Sequence, residues 1–129
     1  MTRTPRGRLA TILAVASIIE ITTGLALLLV PALVIALLLG AASAGVTLAI
    51  ARLCGIALAM LGWSCWPGRR ASFIASNGTR AMLAYNAAAA LYLAWLGFAH
   101  GPAGPLLWPA VVLHAVLAAL LIHSARQEP

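Results

Sequence analysis

Long apolar runs alternate along the chain with short polar or glycine- and proline-rich connections. Because a membrane-crossing helix needs about 20 apolar residues, the runs predict spans at residues 9–30, 45–66, 81–100 and 106–123. Pro31 interrupts the first run, and residues 32–39 are too few to cross again, so we expect a tail or short helix at the membrane interface. Turn signals at Asn77, Gly78 and Gly101–Pro105 predict loops before and after the third span. The pattern therefore predicts one all-α transmembrane domain over residues 1–129, an integral membrane four-helix bundle.

The composition excludes several classes of protein. Hydrophobic residues make up 64% of the chain and charged residues only 8%, whereas a soluble domain carries roughly a quarter charged residues. So few charges could not cover the surface of a soluble enzyme, and they do not fit a disordered chain or a nucleic-acid-binding module. We therefore expect membrane lipids, and no nucleic acid, as partners.

The arginines indicate the orientation of the chain in the membrane. All but one of the eight basic residues lie at the ends of apolar runs: Arg3, Arg6, Arg8, Arg69, Arg70, Arg80 and Arg126. An even number of spans puts both termini and the arginine-rich loop on one side, which the positive-inside rule makes cytoplasmic. Tryptophans at both ends of the spans fit an aromatic belt, with Trp63 and Trp66 at the cytoplasmic interface and Trp95 and Trp108 at the outer one. The sequence predicts a multi-pass protein of the inner (plasma) membrane with cytoplasmic N- and C-termini.

Two charged residues fall inside predicted spans, Glu20 in the first and Arg52 in the second. A carboxyl group in the membrane must be protonated, paired or facing a polar cavity, whereas an arginine cannot lose its proton and needs a counter-charge or headgroups. On the expected boundaries their depths differ by only a few ångströms. The sequence therefore predicts a Glu20–Arg52 ion pair. Glu20 is interpreted either as a proton carrier or cation anchor, or as a packing element.

Other polar side chains at mid-span complete a candidate cluster. His114 could extend a hydrogen-bonded relay from Glu20, ligate a haem, or be a satisfied packing histidine. Tyr85, Asn86 and Tyr92 could line a polar pocket or hold helices together by hydrogen bonds. The candidate ligand-binding or buried polar cluster is Glu20, Arg52, Asn86, Tyr92 and His114.

Motifs for catalysis and cofactors are not found in the sequence. Cys54 and Cys65 are too far apart along one helix to form a disulfide, and no Cys-x-x-Cys, glycine-rich phosphate loop or metal-ligand spacing is present. A bis-histidine haem would need a second histidine at the depth of His114, and His100 and His123 fall at span ends. We therefore expect a protein without catalytic activity, metal or cofactor.

The layout of the chain resembles the small DoxX-like bacterial membrane proteins. The resemblance rests on Gly24 and Pro31 ending the first helix, on Arg52-Leu53-Cys54-Gly55 opening the second, and on four spans with cytoplasmic termini. It implies a four-helix bundle and an accessory role beside redox or envelope machinery, and it transfers no catalytic residue.

A second, local resemblance surrounds Glu20. The segment Ala16-Ser17-Ile18-Ile19-Glu20-Ile21-Thr22-Thr23-Gly24 is similar to the first helix of the small multidrug resistance transporters, in which one membrane-embedded glutamate is shared between a proton and a cationic drug. The aromatic-rich second helix of that family is missing here. Arg52 beside Glu20 would also repel a cation, so cation export is not expected.

These observations predict an accessory or lipophilic-ligand-binding subunit, associated with a larger membrane complex or with further copies of itself. A proton-coupled exporter of small cations that uses Glu20 is the alternative.

Overall fold

The computed structural model describes residues 5–67, 72–99 and 104–127, and over these residues it is entirely helical. The helices are α1 (Pro5–Leu29), α2 (Pro31–Leu39), α3 (Val46–Ser64), α4 (Ser72–Ala99) and α5 (Leu107–Arg126). Each helix except the nine-residue α2 is long and apolar enough to cross a membrane. The expected all-α four-helix membrane bundle is confirmed, and the chain is a multi-pass membrane protein.

The backbones of α1 and α3 touch along an antiparallel crossing. A Cβ atom placed on Gly24 would lie 2.5 Å from the carbonyl oxygen of Gly55 and 2.7 Å from the amide nitrogen of Ala59. One turn further along α3, a Cβ atom on Gly62 would lie 2.6 Å from the carbonyl oxygen of Ser17. Small residues let helix backbones approach in this way, and such packing replaces the hydrophobic effect, which does not drive helices together in lipid.

A second antiparallel pair, α4 and α5, packs against the first pair mainly through contacts between α1 and α5. All four spans contribute to a buried core in the half of the bundle where α1 begins and α5 ends. Its members are Leu13, Ala16, Cys65, Met82, Leu117 and Leu121. Large apolar side chains on the outward faces of the spans are exposed, as contact with lipid tails requires.

The expected loop at residues 67–80 is corrected by the structure, because α4 begins at Ser72 and includes Asn77 and Gly78. Gly78 packs against Cys65, whose thiol donates a hydrogen bond to the Gly78 carbonyl oxygen at 3.3 Å. Tertiary packing at this point outweighs the turn propensity of the Asn-Gly pair. Arg69, Arg70, His100 and residues 101–103 of the expected turn lie outside the described residues.

The segment after the first span is the short helix α2. Val30 leaves the helical conformation, with φ −131° and ψ 53°, and Pro31 starts α2, where its missing N–H is harmless. The amide of Leu106 donates to the carbonyl oxygen of Leu37 at 2.9 Å. This bond ties α2 to the connection that precedes α5.

The α1–α3 contact generates a stability prediction. Gly55→Leu forces the two backbones apart, because a Cβ atom at this position would lie 2.6 Å from the Gly24 carbonyl oxygen. We expect the free energy of unfolding in detergent to fall by about 1–3 kcal/mol, measured by circular dichroism. Ala57→Leu, on the exposed face of the same helix, is the matched control and should change stability little. Equal losses in both variants would show that the glycine contact does not hold α1 and α3 together.

Candidate functional site

Side chains and backbone from all four spans meet around Glu20, which is fully buried near the middle of α1. On the α3 side, a Cβ atom on Gly62 would lie 3.2 Å from the Glu20 Cβ atom. On the α5 side, Nδ1 of His114 lies 4.0 Å from Glu20 Oε1. On the α4 side, the hydroxyl of Tyr85 lies close to the carboxyl group but forms no hydrogen bond with it. The acid therefore lies at the centre of the bundle.

The Glu20 carboxyl group has no hydrogen-bond partner at either oxygen. Ser17, one turn earlier on α1, is also fully buried, and its hydroxyl oxygen lacks a partner as well. Most buried polar groups in proteins are hydrogen-bonded, since removing them from water without compensation is costly. The two side chains thus keep the capacity to bind a polar group inside the membrane.

His114 and Asn86 form a hydrogen-bonded pair beside the acid. The Asn86 amide nitrogen donates to the carbonyl oxygen of Met82 at 2.9 Å, which leaves Oδ1 of Asn86 2.8 Å from Nδ1 of His114. The ring of Tyr85 packs edge-on against the imidazole, with centroids 5.7 Å apart and an interplanar angle of 85°. Both side chains of the pair are buried, so the imidazole is held in one orientation.

The expected Glu20–Arg52 ion pair is wrong. Arg52 is exposed, and its Nε donates to the carbonyl oxygen of Leu28 at 3.3 Å. Leu28 is eight residues beyond Glu20 on α1, which is about 12 Å along the helix axis. The two residues do not lie at similar depths, because α3 extends past the end of α1 to lie beside α2. This places Arg52 opposite the last turn of α1.

Arg52 serves instead as a cap on the C-terminus of α1. The last carbonyl groups of a helix lack amide partners within the helix, and here the break at Val30 and the missing N–H of Pro31 end the ladder. A cation at a helix C-terminus also interacts favourably with the helix dipole. The arginine therefore links α1 to α3 near the start of α2.

The predicted candidates divide into two groups. Glu20, Asn86 and His114 come together at the bundle centre, whereas Arg52 and Tyr92 lie elsewhere. Tyr92 is 60% exposed and stacks on Trp95, with ring centroids 5.8 Å apart. Its position on the outer surface of α4 suits contact with lipid.

Sequence reasoning missed Gly62, and it named Tyr85 as a possible pocket residue without including it in the candidate cluster. Gly62 continues the stripe of small residues Gly55 and Ala59 at helical spacing, a signal that was available in the sequence. Tyr85 precedes Asn86 directly, and neighbouring positions on a helix can both face one central group when two other helices flank it. A search for groups facing Glu20 from every span would have included both.

The metal-ligating side chains of the described residues are not grouped together. Across residues 5–67, 72–99 and 104–127, no three His, Cys, Asp or Glu side chains are grouped so that they could hold a metal ion. His123 lies at the exposed end of α5 and hydrogen-bonds to Gln127 at 2.9 Å.

The distance between Glu20 and Arg52 predicts that the two residues contribute independently to stability. Arg52→Ala removes the cap on α1 and should lower the free energy of unfolding by about 1 kcal/mol. In a double-mutant cycle with Glu20→Gln, the effects should add within about 0.5 kcal/mol, as expected of sites that share no partner. Arg52→Lys retains the charge and serves as the control for the loss of the cation. A coupling energy well above that limit would place the two side chains in contact.

Comparison of the chain with protein-family models, curated proteins and solved structures finds no match. The resemblances to DoxX-like proteins and to small multidrug resistance transporters therefore stay predictions from the sequence.

Proposed function

We propose that the protein is a small, non-catalytic membrane subunit that binds the polar head of a lipophilic molecule at Glu20. The observation that carries the proposal is that both oxygens of this fully buried carboxyl group lack hydrogen-bond partners. The carboxyl group lies where all four spans meet, so a polar head bound there is held by the whole bundle. The apolar tail of the same molecule remains in a hydrophobic environment, as membrane-embedded binding sites allow.

A binding role accounts for the cluster better than a packing role. Polar side chains that serve only to hold helices together are expected to bond to each other, because the benefit comes from the interhelical hydrogen bond. Asn86 and His114 do so, but Glu20 and Ser17 do not. A ligand with a polar head removes the penalty of these unpartnered groups, and only when it is bound.

The charge distribution supports placement in the plasma membrane with both termini in the cytoplasm. Arg8, Arg80 and Arg126 are exposed at the end of the bundle where α1 begins and α5 ends. The connections at the other end, around residues 40–45 and 100–106, contain no Lys or Arg. This asymmetry is the one that the positive-inside rule associates with a cytoplasmic face. Association with a larger membrane complex or further copies of the chain belongs to the same proposal.

Native mass spectrometry of the protein released from mild detergent tests the binding role. We expect the wild-type protein to retain a lipophilic molecule, and we expect Glu20→Leu to lose it because the polar contact is gone. Thr22→Val is the matched control on α1, since Thr22 is exposed and bonds only to backbone carbonyl groups of its own helix. Equal retention by wild type and Glu20→Leu, or no bound molecule in either, would contradict the proposal.

Proton-coupled export of small cations is a second candidate, favoured by the position of Arg52. The sequence predicted a permanent positive charge beside Glu20, which would repel a cation at this site. The guanidinium group is instead bonded to the carbonyl oxygen of Leu28, about 12 Å from Glu20 along α1. A cation that reached Glu20 would therefore not face Arg52.

Growth in the presence of quaternary ammonium compounds separates the two candidates. The binding role predicts that cells which overproduce the protein are no more resistant than cells with an empty vector. Proteoliposomes should likewise show no proton flux driven by these compounds. Resistance that is lost in Glu20→Gln and kept in Arg52→Ala would replace the binding role with the exporter.

A further inference from the structure

We infer that the polar head bound at this site is an uncharged hydroxyl group, such as that of a lipophilic alcohol or phenol, and that Nε2 of His114 accepts its hydrogen bond. The inference rests on the proposed function, because it names the chemical class of the ligand. It also assigns a role to Asn86, which positions the imidazole.

The hydrogen bonds of Asn86 determine the tautomer of His114. A carbonyl oxygen can only accept, so the amide nitrogen of Asn86 must be the atom that faces the Met82 carbonyl oxygen at 2.9 Å. The atom facing His114 is then Oδ1, which also only accepts, so the hydrogen between them belongs to Nδ1 of His114. In a neutral imidazole with hydrogen on Nδ1, Nε2 carries a lone pair and accepts hydrogen bonds.

Nε2 of His114 has no hydrogen bond among the contacts of the described residues. The contacts of His114 in the described chain are the bond from Nδ1 to Asn86, the approach of Nδ1 to Glu20 and the edge-on ring of Tyr85, and none of them is a hydrogen bond to Nε2. The residue is 9% exposed, so the ring is largely enclosed without being sealed. An acceptor that is fixed in orientation and unpartnered selects a ligand with a hydrogen to donate.

The charges around His114 favour a neutral head group over a cation. The groups that face the imidazole are Glu20 from α1 and Tyr85 and Asn86 from α4, and Gly62 of α3 lies beyond the acid. A charged Glu20–His114 pair would be separated by 4.0 Å without a hydrogen bond, and such a pair offsets little of the cost of burying two charges. With both groups neutral, the site offers the lone pair of Nε2 and a carboxyl group that can donate or accept. A hydroxyl group is an uncharged head group that donates a hydrogen bond to Nε2 and can still accept one from a neutral carboxyl group.

Nitrogen-15 NMR of the protein labelled at histidine tests the tautomer directly, with His114→Gln used to assign the signal of His114. We expect a protonated Nδ1 and an unprotonated Nε2 in the wild-type protein near neutral pH. Asn86→Leu should disturb this pattern, because Nδ1 of His114 then loses the acceptor that holds its hydrogen. A wild-type spectrum of the opposite tautomer, or of an imidazolium, overturns the inference.

Addition of para-octylphenol to the same sample tests the ligand class, with para-octylanisole as the matched probe in which a methyl ether replaces the hydroxyl group. The phenol should shift the Nε2 signal of His114, and the ether should bind about tenfold more weakly, as loss of one hydrogen bond predicts. Thr22→Val should retain this preference. Equal binding of both probes that depends on Glu20 would overturn the hydroxyl inference and leave the binding role standing. If neither probe shifts the Nε2 signal of His114, the hydroxyl inference is also overturned. The binding role is then decided by the mass-spectrometric result.

Discussion

The direct contact between the backbones of α1 and α3 determines where every charged group in the membrane lies. Gly24 against Gly55 and Ala59, and Ser17 against Gly62, fix the register of the two helices. That register brings Glu20 against Gly62 at the centre of the bundle and places Arg52 opposite the last turn of α1. A slide of one turn between α1 and α3 would shift Glu20 relative to Gly62, and Arg52 relative to Leu28, by about 5.4 Å. The positions of the acid and the arginine relative to each other therefore depend on contacts between backbone atoms and small residues of the two helices.

The separation of Glu20 from Arg52 changes the chemistry that the site can perform. A carboxyl group paired with a guanidinium would be a closed ion pair, and its oxygens would have no capacity left for a further polar group. Arg52 instead satisfies the end of a helix that Pro31 interrupts, and Glu20 stays beside a histidine whose orientation Asn86 fixes. The acid and the arginine thus lie in separate environments, and only the arginine links α1 to α3. This division is the basis of the proposed binding role.

The sequence predicted the parts of the structure that follow from one helix at a time. Run length and composition placed the spans, and Pro31 marked the break before α2, because a missing backbone donor acts locally. What could not be predicted was the register between helices, which depends on the packing of Gly24, Gly55 and Gly62 in three dimensions. For that reason Glu20 was matched with Arg52 from estimated depths. The start of α4 was missed for a related reason, since Gly78 is helical where it packs on Cys65.

The central claim is that Glu20 lies beside His114 where the spans converge. Solid-state NMR can test it by measuring the dipolar coupling between carbon-13 in the glutamate carboxyl group and nitrogen-15 in the histidine ring, in protein reconstituted into lipid. The chain contains only two acidic residues, so Glu20→Gln identifies the signal. The account predicts a coupling that matches an Oε1–Nδ1 separation of 4.0 Å and that is retained in Arg52→Ala. A wild-type spectrum without this coupling would contradict the account.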